Sequence, residues 1–325
     1  MKEVLACFFK SLTVLMVASF CFTATAQNFP SKPIKIVVPF GPGGVADLTA
    51  RIVAQKMGSK IGQSVVVENR PGAGGVVAGD LVAKADPDGH TLLLMSNGTA
   101  ISATLFQKLP YDTLKDFEAI STLGFFDIGI VVNQSSPLQS LKDLINFSKS
   151  NPGKINIASI NIGSTQNLAA ELFRLQAGLN LQVVPFNGTP AVITAIRGEQ
   201  VDAAVEIMGP LVPQIKSKSI RLLAVSGAKR SSFFPDIPTA NEMGVKDYAL
   251  SSWNALAAPS KTPNQVILSL NQAVVDSLND PEVKNKLQDL FIEAQSSSPK
   301  EMKTLLENDV KRWASIIEKA NVPKQ

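Results

Sequence analysis

Ile34-Lys35-Ile36-Val37-Val38-Pro39-Phe40-Gly41-Pro42-Gly43-Gly44-Val45-Ala46-Asp47 is the stretch on which the reading of this chain turns. It opens with an almost unbroken β-branched run, the pattern of a strand buried on both faces. A Gly/Pro turn follows. Beyond it, Leu48, Ile52, Met57 and Ile61 predict one face of a helix. A strand that passes through glycines into a helix is the repeating unit of wound α/β sheets.

The unit recurs on both sides. A strand over 65–68, a Gly-rich turn over 71–75, a helix through Val82 and a strand over 91–95 complete β-α-β-α-β, which predicts a parallel sheet. Further strands are expected over 130–132, 155–158, 181–185, 203–207 and 222–225. Helices near 141–149, 165–177, 190–197 and 211–216 lie between them. A last strand over 253–258 precedes helices over 264–278, 282–290 and 300–320, and Pro281 and Pro299 open two of these. The expected class is α/β with two domains. One comprises 27–127 plus 251–325 and the other 128–250, with crossings near Phe126-Asp127 and Ser251-Ser252.

The chain has 325 residues, enough for two cores, and its 45% apolar and 18% charged residues are a globular balance. The net charge of +4 is spread thinly, and no Lys/Arg run offers a footprint for nucleic acid. The N-terminus reads as a secretory signal peptide over 1–26: Lys2 and Lys10, an apolar run over 11–22, and Ala24-Thr25-Ala26 before a cut at Gln27. That run is shorter than the ~20 residues a membrane span needs. Cys7 and Cys21 both fall inside it, so the expected mature chain has neither disulfide nor thiol chemistry. A soluble, monomeric, periplasmic protein is expected.

Ligands of open α/β sheets bind beyond the carboxyl ends of strands. The first candidate there is Phe40, Gly41, Gly43, Gly44, Val45, Ala46 and Asp47, where glycines allow close backbone approach and a helix start favours an anion. No Gly-Lys-Ser/Thr follows, so this is not a phosphate loop, and Asp47 reads as a helix cap rather than a contact. Ser159, Gly163, Ser164 and Thr165 form the second candidate, as caps or as carboxylate ligands. Gly188 and Thr189, before Pro190, are the third, and Asn97 and Thr99 the fourth. Glu206 ends a strand that Asp202 precedes.

His90 is the only histidine and follows a turn, so it reads as structural. With no mature cysteine either, the usual His/Cys metal cluster cannot form, and no cofactor is expected. No G-x-S-x-G elbow is present. Three functions remain: a binding protein, a receptor module for a larger partner, and an enzyme using Glu206 or Asp202.

Several motifs together resemble the Bug family, the TctC-like substrate-binding proteins of tripartite tricarboxylate transporters. They are the opening run 31–44, Val66-Val67-Glu68-Asn69-Arg70-Pro71-Gly72-Ala73-Gly74-Gly75 and Ala85-Asp86-Pro87-Asp88-Gly89-His90-Thr91-Leu92-Leu93. Leu109-Pro110-Tyr111-Asp112, Asn151-Pro152-Gly153-Lys154 and Gly198-Glu199-Gln200-Val201-Asp202 continue the order. Pro235-Asp236-Ile237-Pro238-Thr239 and Asp280-Pro281-Glu282-Val283 close it. The resemblance implies a Venus-flytrap, type II-like periplasmic-binding fold, two α/β domains joined by two crossing strands. It implies a small carboxylate held between the Pro-Gly-Gly loop and the Gly-Ser-Thr loop by backbone N–H groups, hydroxyls and water. Transporter membrane subunits or a sensor kinase are the implied partners. The departures fall in the cleft loops. Val45 and Ala46 replace a Gly and a hydroxyl residue, Gln166-Asn167 replace a His, Phe186-Asn187 replace Tyr-Lys, and Val205-Glu206-Ile207 replace Phe-Asp-Asn. Fold and closure are thus expected to be kept while ligand choice has changed.

Overall fold

The computed structural model describes residues 29–325 apart from Gly163. The expected signal peptide, Cys7 and Cys21 lie outside the described residues, and so does Gly163. Among the described residues no helix is long and apolar enough to cross a membrane.

The opening run forms β1 (Ile34–Val38). Ile34, Ile36, Val37 and Val38 are fully buried, as two covered faces require. β1 lies between β2 (Val65–Asn69) and β3 (Thr91–Ser96) and is parallel to both. The sheet is mixed rather than purely parallel. β10 (Ser252–Pro259) enters antiparallel beside β3, β4 (Phe117–Phe126) pairs antiparallel with β10, and the short β11 (Glu293–Ala294) edges β4. The order is β11-β4-β10-β3-β1-β2.

The helices α1 (Val45–Ile61), α2 (Val76–Ala83) and α3 (Asn97–Leu105) each follow one of these parallel strands. α1 buries Ala50, Val53, Ala54 and Met57. The expected stripe of Leu48, Ile52, Met57 and Ile61 is therefore rotated, and only Met57 is shared. Two alanines on the inner face let α1 sit close to the sheet, which leaves the larger Leu48 and Ile52 half-buried at its flank.

The second sheet has the order β7-β6-β8-β5-β9. β6 (Asn156–Ile160) is parallel to β7 (Gln182–Phe186) and β8 (Ala203–Ile207). β5 (Ile128–Asn133) is antiparallel to β8 and β9 (Ile220–Val225). Its helices are α4 (Leu141–Ser150), α5 (Thr165–Gln176), α6 (Thr189–Arg197) and α7 (Met208–Lys216). The chain ends in α8 (Asn264–Leu278), α9 (Pro281–Asp289) and α10 (Pro299–Lys319).

Asp127 alone separates β4 from β5, so the chain passes from one sheet to the other with almost no slack. The return runs alongside. Ser226 N–H donates to the Ile128 carbonyl (2.9 Å) and Leu250 N–H donates to the Ser226 carbonyl (2.8 Å), while Ser226 Oγ donates to the Leu250 carbonyl (2.7 Å). Ser252, the first residue of β10, then pairs with Phe126, the last of β4. Buried apolar side chains continue through this junction, from Met95 and Trp253 beside the first sheet to Ile128 and Phe173 beside the second.

Candidate functional site

The loop after β1 is held in shape by its own helix. Gly44 is the N-cap of α1 and supplies no capping side chain. Asp47, expected as the cap, instead sits in the first turn and reaches back: its Oδ2 accepts from Gly43 N–H at 2.8 Å. Arg51 Nε donates to both carboxylate oxygens at 3.0 Å, and Asn69 Nδ2 donates to Oδ1 at 2.9 Å and to the Phe40 carbonyl at 3.0 Å. Burial pushes the Asp47 carboxyl up, but these hydrogen bonds outweigh it and hold the pKa below the usual carboxylate value. Both oxygens are committed to the loop, so Asp47 shapes the site. Arg51 and Asn69, which sequence reasoning did not single out, complete this lock.

The rest of the loop faces outward. Gly43 adopts a φ of +82°, open to glycine and strained for most other residues. Nothing lies within 4 Å of where a side chain would begin at Gly41 or Gly43. Val45 and Ala46, the first helical residues, are half-exposed, and Phe40 lies over the start of α3 with 38% of its surface exposed.

Asn97 and Thr99 point the other way. The Ser96 N–H donates to Thr99 Oγ1 (3.2 Å) and Gly98 N–H donates to Ser96 Oγ (3.1 Å), closing a capping box on α3. Asn97 Oδ1 accepts from Trp253 N–H (2.8 Å) and Ser252 Oγ (3.1 Å), and its Nδ2 donates to the Ser251 carbonyl and to Asp309 Oδ2, both at 3.3 Å. The side chains of the fourth candidate loop are thus engaged with its own helix start, the returning strand and α10.

In the second sheet, Ser164 caps α5 by accepting from Asn167 N–H at 3.1 Å. Asn167 Nδ2 donates to Ser159 Oγ at 3.1 Å, and Ser159 is fully buried beneath it. Thr165 is buried as well. α6 starts at Thr189 behind Gly188, whose φ is +88°, and has no capping side chain. α7 begins directly after β8, also without a side-chain cap, and no acidic residue lies in the first turn of α5, α6 or α7.

Glu206 lies where these helix starts converge. It is fully buried at the end of β8. Its Oε1 accepts from Gln166 Nε2 at 2.7 Å and from Ile207 N–H at 2.8 Å. The Thr189 side chain is close enough to stabilise the carboxylate, but no donor of a described residue reaches Oε2 at hydrogen-bonding distance and angle. Burial raises the pKa of this carboxyl, opposed by its hydrogen-bonding neighbours. Asp202 stands at the far end of the same strand and accepts from Asn156 N–H at 2.8 Å. A strand of that length separates the two carboxyls by about 13 Å, so they do not form an acid–base pair.

The two sets of loops meet. At Gly209, in the first turn of α7, a side chain would begin 3.9 Å from Val45 Cγ2 and 3.0 Å from the Leu290 carbonyl oxygen. The outward-facing start of α1 is therefore apposed to the turn that leaves Glu206.

A family model described as the tripartite tricarboxylate transporter family receptor matches residues 49–322. The chain belongs to this family. Protein BugT of Bordetella pertussis is 33% identical over 295 residues, which are 90% of each chain. The structure of the periplasmic binding protein BugD is similar with a TM-score of 0.79 at 32% identity, covering 91% of this chain and all of that one. A Rhodopseudomonas palustris protein solved with adipate gives a TM-score of 0.82 at 29% identity, covering 91% and 99%. The α/β architecture of two sheets is thus that of the periplasmic binding proteins of this receptor family. Receptors of this family bind solutes, and the sequence motifs that resembled it lie in β1, β2 and β3, in turns of both sheets and at the start of α9.

Proposed function

We propose that the protein captures a small carboxylate in the cleft between the loops of its two sheets, with 27–127 plus 251–325 and 128–250 acting as two domains. The observation that carries this reading is the apposition of two helix starts without capping side chains, α1 at Val45 and α7 at Gly209. Free N–H groups and the helix dipole at the start of α1 favour an anion. At α7 the Ile207 N–H donates to Glu206 and the Met208 N–H to the Asp127 carbonyl, and Pro210 has none, so the Gly209 N–H and the dipole are what α7 adds. Gly41, Gly43 and Gly44 let a ligand approach the backbone, and Ser164, Thr165, Gly188 and Thr189 edge the opposite wall. Asp127 and the paired return at Ser226 and Leu250 serve as the hinge, and closure sequesters the ligand.

Export through the segment 1–26 places the receptor in the periplasm. There it hands its ligand to the membrane subunits of a tripartite transporter or reports it to a sensor kinase. The adipate held by the R. palustris relative is consistent with carboxylate capture. The wide separation of Asp202 from Glu206 keeps them from acting as a pair, so an enzymatic reading would have to rest on one of them alone.

The test is a thermal-shift screen of the chain from Gln27 onward against mono-, di- and tricarboxylates and their amides. A ligand that binds only the folded state raises Tm. A rise with an acid that is lost when every carboxylate is amidated supports capture. No rise with any acid, together with no carboxylate released on denaturation, overturns it.

A further inference from the structure

Glu206 stands at the carboxyl end of β8, directly before the turn into α7, and carries a feature that a general carboxylate receptor does not require. Its carboxyl is fully buried, and Oε1 is satisfied by the Gln166 amide and the Ile207 N–H. Oε2 is equally buried and accepts from no described residue. A buried carboxylate oxygen without a donor is costly, by about 1–3 kcal/mol or more. Such an atom calls for an explanation, and an arriving ligand group or a bound water each supplies one.

The position of that oxygen decides what the partner is. Glu206 is three residues before Gly209, so its Cα lies within about 11 Å of the turn that meets Val45. A small ligand whose carboxylate sits at the start of α1 has its far end in reach of Glu206. Around Glu206, the starts of α5 and α6 and the Gly129 backbone of β5 contribute Gln166, Thr189 and main chain, and among the described residues no charged side chain acts on it. A second carboxylate arriving there meets a like charge with no cation to offset it unless Glu206 takes up a proton. An ammonium, hydroxyl or amide N–H meets an acceptor in need of it.

We propose that Glu206 is a specificity-determining residue and that the solute is a carboxylate bearing a hydrogen-bond donor at its far end, selected over dicarboxylates through Glu206 Oε2. This rests on the capture reading above and narrows it. The start of α1 supplies attraction for one carboxylate, and Glu206, when ionised, places a negative charge opposite.

The experiment is isothermal calorimetry at neutral pH with succinate, glutarate and adipate, each against its own monoamide and its ω-hydroxy and ω-amino acids. At the chain length that fits, a donor-bearing acid should bind at least about tenfold more tightly than the diacid. Glu206→Gln should close that gap, since it removes the charge and keeps the shape. If E206Q fails to fold, proton linkage replaces it. The diacid should then bind wild type only with proton uptake, read in two buffers of different ionisation enthalpy, and the monoamide without uptake. A diacid that binds as tightly as its donor analogues, or binds with no proton taken up, overturns the inference and leaves carboxylate capture standing. A gap that E206Q does not change overturns the role of Glu206. If no probe binds and denatured protein releases no carboxylate, the capture reading itself fails and the inference falls with it.

Discussion

The side-chain amide of Gln166 donates to Oε1 of Glu206 at 2.7 Å, tying the first turn of α5 to the end of β8. The bond joins residues 40 positions apart and lies wholly inside the protein. Gln166→Leu should therefore lower stability by about 1–3 kcal/mol, because it leaves a buried carboxyl oxygen with only the Ile207 N–H. Urea unfolding with an unchanged m-value would check this.

The same carboxyl predicts a pH dependence. Burial raises its folded-state pKa above the ordinary value, so the unfolded chain releases this proton at lower pH than the folded one. The stability contribution is therefore complete below the ordinary carboxyl range and is lost as pH rises through the raised folded pKa. Glu206→Gln does not titrate. Its stability relative to wild type should climb as pH is raised from the ordinary carboxyl value and level off beyond the folded pKa. A difference that stays flat across that range in urea melts would contradict the assignment.

Much of the fold was legible. The run Ile34-Lys35-Ile36-Val37-Val38 has no polar break except Lys35 and could hardly be anything but a buried strand. β4 was not legible, because Ser121, Thr122 and Gly124 interrupt its apolar pattern. Gly124 is needed there, since a side chain would begin 2.7 Å from Ile292 Cγ2. α3 was hidden by Asn97-Gly98-Thr99, which reads as a turn until the Ser96–Thr99 capping box is seen. In the site, the glycine loops announced themselves through composition. The Asp47 lock and the Gln166–Glu206 bond did not, because each depends on residues brought together from separate strands and helices.

Asp47 titrates in the opposite sense to Glu206. Its folded pKa is held below the ordinary value, so its contribution is present above the unfolded carboxyl pKa and is lost as pH falls through the lowered folded value. Asp47→Ala should cost about 1–3 kcal/mol at neutral pH, since the Gly43 N–H and the Asn69 amide lose their acceptor. The deficit should shrink on acidification. It should also weaken ligand binding, because the loop is no longer pinned. Unfolding curves and calorimetry on the same variant test the two effects separately.

Gly41 and Gly43 separate backbone strain from ligand approach. Gly43→Ala forces a side chain into a φ of +82° and should lose about 1 kcal/mol of stability. Gly41 needs no such conformation and has open space around it, so Gly41→Ala should leave stability within about 0.5 kcal/mol of wild type. A ligand seated on this loop would still meet the new methyl group, and binding should weaken in both variants. A Gly41→Ala protein with unchanged affinity would move the ligand away from the loop.

Gly209 tests closure. A side chain there would begin 3.0 Å from the Leu290 carbonyl oxygen, which is backbone and cannot rotate away, and 3.9 Å from Val45 Cγ2. Gly209→Val therefore presses on the Leu290 carbonyl with Val45 already in contact, and moving the start of α7 away from both relieves it. If capture requires that apposition, the variant occupies the competent state less often and its apparent Kd rises in proportion, by about tenfold when only a tenth of the molecules can close. Small-angle scattering should then show a larger radius of gyration for the ligand-bound variant than for ligand-bound wild type. Calorimetry should show the weaker affinity. Wild-type affinity in a folded Gly209→Val protein would mean that Val45 and Gly209 need not meet for the ligand to be held.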